Sequence, residues 1–262
     1  MDKTSLGNRM KQYEAVPKNF LTRRTPVIMR LDGKSFHSVT KGFDKPFDST
    51  IERAMKETML YLCCNIQGCV LGYTQSDEIT LVLCDYQKID TDAWFGYNVQ
   101  KMVSVAAAMA TFAFSMNLDK IACELERLDQ FDVKIDLINK KLGNGIFFDA
   151  RVFNLPKEEV VNCLIWRQQD ATRNSIQGLA QSLFSHKELQ DLSCSKLQDK
   201  ILNECGINWN DLSVYQKRGV CAIKSLKFVN SIGIKHDWVI DNNTPIFTQE
   251  RNYITLRINF DD

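Results

Sequence analysis

Residues 26–33 read PVIMRLDG, a short apolar run that ends in an Asp-Gly pair. Such a run, bounded by turn residues, is typical of a buried strand, and Asp-Gly is typical of the turn that follows one. The stretch therefore predicts a strand over Pro26 to Leu31 with Asp32 at its end. The neighbouring elements decide which kind of sheet this strand joins.

Helical and extended patterns alternate along the rest of the chain. The segment Gln75 to Glu78 lies between two apolar runs and predicts the turn of a hairpin. In chain order, we predict a helix over 49–64 capped by Asp48 or Ser49, strands over 69–73 and 79–84, a helix over 93–114, a helix plus an irregular insertion over 115–145, a strand over 145–153, helices over 156–170 and 173–184, short helices within 186–216, and strands over 217–227 and 252–260.

The order of these elements predicts an α+β fold with a mostly antiparallel sheet covered by helices on one face. The first part matches a ferredoxin-like, split βαβ arrangement. We expect a single catalytic domain over residues 1–262, with the sheet-forming core at about 20–155 and a helical and strand part at about 156–262.

The composition excludes several classes of protein. The chain has 33 Lys and Arg against 32 Asp and Glu, a net charge of +1, so it does not hold a polyanion by bulk charge. Nine Cys without C-x-x-C spacing, and only three His, argue against structural zinc and indicate reduced thiols. No uninterrupted apolar stretch is long enough for a membrane span, so we expect no membrane partner and a cytoplasmic or mitochondrial location, with the cytoplasm favoured.

Three carboxylates are the sharpest chemical signal. Asp32 follows the first strand, and Asp77 and Glu78 lie in the predicted hairpin turn. If that strand pairs beside the hairpin, the three acids meet at one end of the sheet, where a cation such as Mg²⁺ would screen their repulsion. The carbonyl of Gly33 is a further oxygen ligand for such a cation. The alternative is two ordinary turns, in which Asp is common.

Basic residues flank the first of these acids. Arg30, Lys34, Lys41 and Lys45 supply cations of the kind that phosphate chains need, although a solvated surface is the better interpretation of any single lysine. His37 has no metal-ligand spacing, and a lone histidine is more often structural than catalytic.

A second polar segment lies in the helical half. Residues 166–175 (WRQQDATRNS) place amides and arginines in an otherwise apolar helical region, where they could bind a nucleotide or an RNA end. A turn between two helices with ordinary capping is the alternative. Lys217-Arg218-Gly219 is a smaller basic turn with the same two interpretations.

Taken together, these motifs resemble those of the tRNA-His guanylyltransferase family. The resemblance covers about residues 20–225. It rests on Arg30 to His37, Phe43 to Pro46, Tyr73 to Glu78, Phe148 to Arg151, Trp166 to Asp170 and Tyr215 to Gly219.

The resemblance implies a palm-like catalytic core that adds nucleotides to RNA in the 3′-to-5′ direction, with two Mg²⁺ ions and with ATP or GTP as activating and substrate nucleotides. It implies tRNA as partner and a homotetramer. Asp32, Gly33 and Asp77 match metal ligands, with Glu78 beside them as a third catalytic acid. The implied nucleotide-binding residues are Arg30, Gly33, Lys34, Ser35, Phe36, His37, Lys45, Ser76, Asp77 and Lys101. The implied RNA-binding residues are Arg167, Arg173, Asn174, Lys217 and Arg218.

The sequence departs from the family pattern at two places. The run Thr172-Arg173-Asn174-Ser175 stands where the tRNA-His-specific enzymes carry a His-x-Asn-Asn type motif, and Asn98 stands where they carry an Arg. The chain is thus more similar to the family's guanylyltransferase-like branch, which implies template-dependent repair or editing of truncated tRNA 5′ ends. The alternatives are addition of the −1 guanosine to tRNA-His, a nucleotide cyclase on the same core, and a non-catalytic tRNA-binding protein.

Overall fold

The computed structural model describes residues 4–128, 132–229 and 233–260. Six strands form one sheet in which every adjacent pair is antiparallel, in the order β4-β1-β3-β2-β5-β6. The strands are β1 Val27–Gly33, β2 Cys69–Gln75, β3 Glu78–Leu83, β4 Phe148–Asn154, β5 Val220–Val229 and β6 Gly233–Asp241. The order of β1 to β4 confirms the split βαβ core, and β5 and β6 extend it beyond β2.

Ten α-helices connect and cover these strands in the described residues. They are α1 Ser5–Ala15, α2 Phe36–Val39, α3 Ser49–Asn65, α4 Val99–Arg127, α5 Asp132–Asn144, α6 Lys157–Leu183, α7 His186–Leu189, α8 Cys194–Cys205, α9 Val214–Arg218 and α10 Asn252–Ile258. Short 3-10 turns cover Trp94–Tyr97 and Trp209–Asp211.

Helices cover both faces of the sheet, which corrects the expectation of one covered face. Alternate residues of β1 point in opposite directions. Met29 and Leu31 join the core formed with α3 and α4, whereas Ile28 joins Val160 and Leu164 of α6 in a second core. The sheet is therefore the middle layer of three.

Three local predictions are also corrected, and two elements were not predicted. The described part of 115–145 is helical rather than irregular, and residues 129–131 lie outside the described residues. The two predicted helices over 156–170 and 173–184 are one helix, Lys157–Leu183, in which Asp170 pairs with Arg167 and Arg173. The segment 252–260 is mainly helical, since Ile254 and Ile258 are buried four residues apart, and β6 is the strand that the sequence did not predict. The helix α1 was not predicted either.

The longest of the described helices is α4. α4 meets the length and composition of a membrane-spanning helix. However, one of its faces is buried against α3 and β4, with Ala106, Ala110 and Phe114 fully covered, as in the core helix of a globular protein.

An aromatic cluster fixes α4 against the site end of the sheet. The ring centroid of Phe114 lies 5.4 Å from that of Phe36 and 5.5 Å from that of Phe148. Phe36 directly follows the turn at the end of β1, and Phe148 is the first residue of β4. The end of β1 therefore rests on a rigid apolar base.

We expect Phe114→Ala to lower the free energy of unfolding by about 3–5 kcal/mol, because it opens a cavity under β1 and β4. The matched control is Phe112→Ala, two residues earlier on the outer side of α4, where the side chain is 57 % exposed. That variant should change stability by less than about 1 kcal/mol. Urea denaturation measures both, and equal losses would contradict the packing described.

Candidate active site

The pairing of three adjacent strands places three acids side by side. Asp32 on β1 lies opposite Glu78 on β3 and opposite Asp149 on β4. Directly opposed residues of antiparallel strands point to the same face of a sheet. The three side chains therefore share the face that α6 covers, and the predicted meeting of Asp32 with the hairpin acids is observed.

A tight turn holds the fourth acid, Asp77. Gln75 and Glu78 pair across the turn, so Ser76 and Asp77 form a two-residue loop, with Ser76 in the left-handed region at φ 50°. The Ser76 hydroxyl donates to Oδ1 of Asp77 at 3.0 Å, and the N–H of Gly33 donates to the Asp77 carbonyl at 3.1 Å. These bonds fix the hairpin loop to the end of β1.

Gly33 is required by packing. A Cβ atom built on this residue would lie 2.2 Å from Cδ2 of Phe36, a distance that no real contact allows. The backbone can therefore approach the Phe36 ring only because this position has no side chain.

The negative charges of Asp32 and Asp77 are disfavoured by burial and by neighbouring acids. Burial raises the pKa of Asp32, as do the charges of Asp77, Glu78 and Asp149, and Arg151 opposes this only weakly from 4.0 Å. Burial also raises the pKa of Asp77, together with the charge of Glu78, while the Ser76 hydroxyl acts in the opposite direction. A cation placed between Asp32 and Asp77 would remove this cost.

Glu78, in contrast, is fully engaged by two arginines. Nε and Nη2 of Arg167 donate to its two oxygens at 2.7 and 2.6 Å, and Nη2 of Arg30 donates at 2.7 Å. A buried carboxylate held in this way by two guanidinium groups joins β3 to α6 and β1. Its geometry is that of a positioning residue, and it does not offer a free oxygen as the predicted third catalytic acid would.

The guanidinium groups of Arg30 and Arg167 both lie close to the ring of Trp166, which is partly exposed to solvent. Their guanidinium carbons lie 5.4 and 4.5 Å from the ring centroid of Trp166. Arg167 is buried and also pairs with Asp170 at 3.0 Å, which is at odds with the RNA contact predicted for it. Arg30 is likewise committed to Glu78 rather than open to a nucleotide.

A cavity of about 470 Å³ lies next to the Ser76 side of this turn. This volume is within the range of small-molecule sites and suits a nucleotide. Three residues predicted to bind nucleotide or RNA line it, namely Lys45, Ser76 and Asn174. Phe36, a fourth, forms part of its wall, although its ring is buried in the aromatic cluster.

Asp48 organises the segment that carries Lys45. Its carboxylate caps α3 by accepting the N–H groups of Thr50 and Ile51, and it accepts the N–H of Asp44 at 3.1 Å. Lys134 of α5 donates to the same carboxylate at 2.9 Å. These bonds lower the pKa of Asp48 despite its burial, so it is a structural anion and not a free ligand.

Other predicted residues fall in three further places. Lys34 and Ser35 line a separate, smaller cavity, and His37 is exposed beside it. Lys101 lies in the first turn of α4, which is bound to residues 19–21 near the start of β1, at the end of the strand opposite to Asp32. One chain therefore does not bring Lys101 to the carboxylates.

The basic turn lies against the hairpin. The Tyr215 hydroxyl donates to the Ser76 carbonyl at 3.3 Å. Lys217 donates to the Asn210 carbonyl and Arg218 to the Thr244 carbonyl, so both predicted RNA-binding side chains are half-buried. Arg173 is exposed and paired with Asp170.

Sequence reasoning did not select Asp149, Arg151 and Tyr215 as site residues. Their segments belong to the motifs that carry the family resemblance, yet their proximity depends on long-range pairing. Asp149 reaches the site only through the pairing of β4 with β1, and Arg151 contacts Asp149 at 3.3 Å.

The donor set fits Mg²⁺ only when a substrate completes it. No group of three metal-ligating His, Cys, Asp or Glu side chains exists among the described residues. Asp32 and Asp77, with the Gly33 carbonyl, provide hard oxygen donors and unbalanced negative charge. Mg²⁺ is commonly bound by one or two carboxylates plus substrate phosphates, which agrees with this set.

A split βαβ sheet with two aspartates at one end, beside a cavity of nucleotide size, fits a palm-like nucleotidyltransferase and also the nucleotide cyclase alternative. Comparison with known proteins makes the class specific. The tRNAHis guanylyltransferase family model matches residues 7–156. The chain therefore belongs to the tRNA(His) guanylyltransferase family of nucleotidyltransferases, as its motifs predicted.

Relatives and solved structures agree with this assignment. A bacterial tRNA(His) guanylyltransferase-like protein in complex with ATP is 41 % identical, with a TM-score of 0.82 over 98 % of this chain and 100 % of that one. One in complex with GTP is 39 % identical, with a TM-score of 0.79 over 97 % and 98 %. An uncharacterized protein of Acanthamoeba polyphaga mimivirus is 29 % identical over 97 % of this chain and 88 % of its own length.

We expect Glu78→Gln to lower the free energy of unfolding by about 3–5 kcal/mol, because it leaves the Arg30 guanidinium without its counter-charge and leaves Arg167 with Asp170 alone. Glu204→Gln, which breaks the exposed pair with Lys200, is the matched control and should cost less than about 1 kcal/mol. Chemical denaturation measures both. A fully stable but inactive Glu78→Gln protein would instead assign the carboxylate to the chemistry.

We expect Asp32→Asn to raise the melting temperature, and to raise it more at pH 7.5 than at pH 4. A carboxyl whose pKa is raised by folding destabilises the folded state when ionised, and this cost fades as the pH falls toward its ordinary pKa. Asp119→Asn, at an exposed position on α4, is the control. Calorimetry at both pH values measures the gain, and a loss of stability at pH 7.5 would contradict the charge repulsion.

Proposed function

We propose that the protein adds nucleotides to the 5′ end of truncated tRNA in the 3′-to-5′ direction, under the control of a template. The observation that carries this proposal is the pair of aspartates, Asp32 and Asp77, without a strong counter-charge and close to a cavity of nucleotide size. The similar bacterial proteins in complex with ATP and GTP support triphosphate nucleotides as ligands.

The reaction joins an incoming nucleoside triphosphate to the RNA through the nucleotide's 3′-hydroxyl. The hydroxyl oxygen attacks the 5′ α-phosphorus of the RNA and loses its proton. The leaving group is pyrophosphate from a 5′-triphosphate, or AMP from an end adenylylated by ATP. Two Mg²⁺ ions bound by Asp32, Asp77 and the Gly33 carbonyl would stabilise the negative charge that develops at phosphorus.

The chain's own residues bind and orient the reactants. Lys45 at the cavity wall provides a point charge for the triphosphate, and the Ser76 hydroxyl and the Asn174 amide provide hydrogen bonds. The turn that holds Asp77 is fixed to Gly33 and Tyr215, so this carboxylate is preorganised before substrates bind. Glu78 acts through Arg30 and Arg167 by holding α6, with Asn174 on it, against the sheet.

Template dependence is supported by the two places where the sequence departs from the tRNA-His-specific pattern. Asn98 caps α4 by accepting the N–H of Lys101 at 3.0 Å, and so performs a structural task. Within residues 172–175, Thr172 donates to the Gln168 carbonyl and Ser175 accepts from Trp209. Residues 172–175 lack the His of the tRNA-His-specific pattern, and position 98 lacks its Arg. Base pairing to the RNA template would therefore select the nucleotide.

Addition of a −1 guanosine to tRNA-His is the second candidate, and the name of the matching family model favours it. The homotetramer implied by the family resemblance remains part of the proposal in either case.

The test uses tRNA transcripts that lack their first nucleotide, with all four nucleoside triphosphates and Mg²⁺. We expect extension by the nucleotide complementary to position 72, and a change of selected nucleotide when position 72 is changed. The comparison is tRNA-His with a complete 5′ end and a trimmed 3′ end. In this RNA no base lies opposite position −1 to act as a template. Guanosine addition regardless of the template would favour the second candidate, and no extension of any RNA would overturn both.

We expect Asp32→Asn and Asp77→Asn each to lower the extension rate by at least about a hundredfold, because each removes a carboxylate that binds the activating cation. Asp149→Asn, which changes a neighbouring acid on the same face, should have a smaller effect. Single-turnover kinetics with folded variants measures the rates. Retained activity in either of the first two would remove the metal-ligand assignment.

A further inference from the structure

A second cavity lies at the same end of the sheet and is not used by the chemistry above. Its volume is about 260 Å³, and its wall includes Lys34, Ser38, Lys141 and Phe147. It shares no lining residue with the larger cavity within the described part of the chain. α2 lies between the two, because its residues contribute to both walls.

Backbone bonds hold this smaller cavity next to the carboxylates. The N–H of Gly33 donates to the Asp77 carbonyl, and the N–H of Lys34 donates to the Phe147 carbonyl at 2.8 Å. Lys34 is also only two residues from Asp32. A polymer whose end reaches Asp32 therefore has this cavity directly beside it.

The wall of the cavity carries positive charge, and no acidic side chain lines it within the described residues. Lys34 and Lys141 line it, and burial together with the charges of Lys140 and Lys41 lowers the pKa of Lys141. None of these four lysines forms an ion pair within the described residues, whereas the nearby Lys134 pairs with Asp48. Such a cluster of like charges gains free energy when an anion binds.

The head group of Lys141 is held in position rather than free in solvent. Its Nζ donates to the Ser38 carbonyl at 2.6 Å. An ammonium group has three N–H donors, so two remain for a ligand. The lysine is thus a fixed donor at the cavity wall.

An exposed aromatic ring completes the cavity. Ile146 and Phe148 are buried, so the alternation of the backbone turns Phe147 outward, where 54 % of it is exposed. Gly145 has φ +75°, and a Cβ there would lie 2.9 Å from the Phe147 ring, so the ring rests on bare backbone. Nζ of Lys34 lies 5.9 Å from the ring centroid. Aromatic rings next to lysines are characteristic of single-stranded nucleic-acid sites, where bases stack and phosphates bind the cations.

We propose that this cavity binds the 5′-terminal segment of the RNA substrate, with one base stacked on Phe147 and an adjoining phosphate bound by Lys34 and Lys141. The inference rests on the proposed function, because it takes RNA to be the substrate. A nucleoside triphosphate has the same phosphate chemistry, so the experiment must separate the two sources.

The experiment measures binding of a fluorescent tRNA transcript, lacking its first nucleotide, to the full chain by anisotropy at several salt concentrations. Phe147→Ala should weaken binding about tenfold by loss of stacking. Lys34→Gln combined with Lys141→Gln should reduce the slope of log K against log salt by about two. The matched controls are Phe112→Ala, at an equally exposed ring, and Lys187→Gln, at an exposed lysine of α7, and both should bind like the unaltered protein.

Two results would overturn the proposal. One is unchanged RNA binding in folded Phe147 and lysine variants, with folding checked by circular dichroism. The other is unchanged RNA binding with a raised KM for the nucleoside triphosphate, which would assign the cavity to the triphosphate. Failure of the proposed function would be seen separately, as the absence of tRNA extension by the unaltered protein. Weaker RNA binding by the variants would in that case still support RNA binding at this cavity.

Discussion

A single buried carboxylate, that of Glu78, joins the sheet to the α6 layer at the site. It accepts both donors of the Arg167 fork from α6 and a third from Arg30 on β1. Bidentate bonds of this kind fix direction as well as distance, which apolar packing alone does not. The angle of α6 against the sheet, and with it the position of Asn174 at the large cavity, depends on this contact. Because the two arginines are committed to Glu78, they do not neutralise Asp32 or Asp77.

The result is a local separation of charge that the near-zero net charge of the chain conceals. Two aspartates without a strong counter-charge lie at the end of β1 and in the hairpin turn, and unpaired lysines lie around α2 and α5. A phosphate-bearing substrate with a bound cation is complementary to both, since the cation meets the acids and the phosphates meet the lysines. Affinity then comes from local complementarity, and the neutral total charge permits release.

The parts of the fold that follow from local pattern were predictable. The strand ending at Asp32, the α3 helix and the hairpin around Ser76 and Asp77 each have a clear period and turn chemistry, and the structure has all of them. α10 was not predictable, because Tyr253, Ile254 and Thr255 favour strands locally and only burial against the sheet selects a helix. The burial of Arg167 depends on Glu78, 89 positions earlier in the chain, and the distance of Lys101 from the site depends on the direction of α4. Such facts are set by tertiary packing, which a single sequence does not display.

The contact between Gly33 and Phe36 has a consequence for how genetic variation in this protein is interpreted. Any side chain at position 33 collides with the Phe36 ring, and that ring also supports Phe114 and Phe148. A mutational scan would thus score every replacement of Gly33 as loss of function, with the intolerance of an active-site residue. The physical cause would be displacement of an aromatic cluster, which acts on the carbonyl only indirectly. Intolerance at Gly33 and at Asp32, although adjacent in sequence, would therefore have different origins: aromatic packing at Gly33 and the charge of the carboxylate at Asp32.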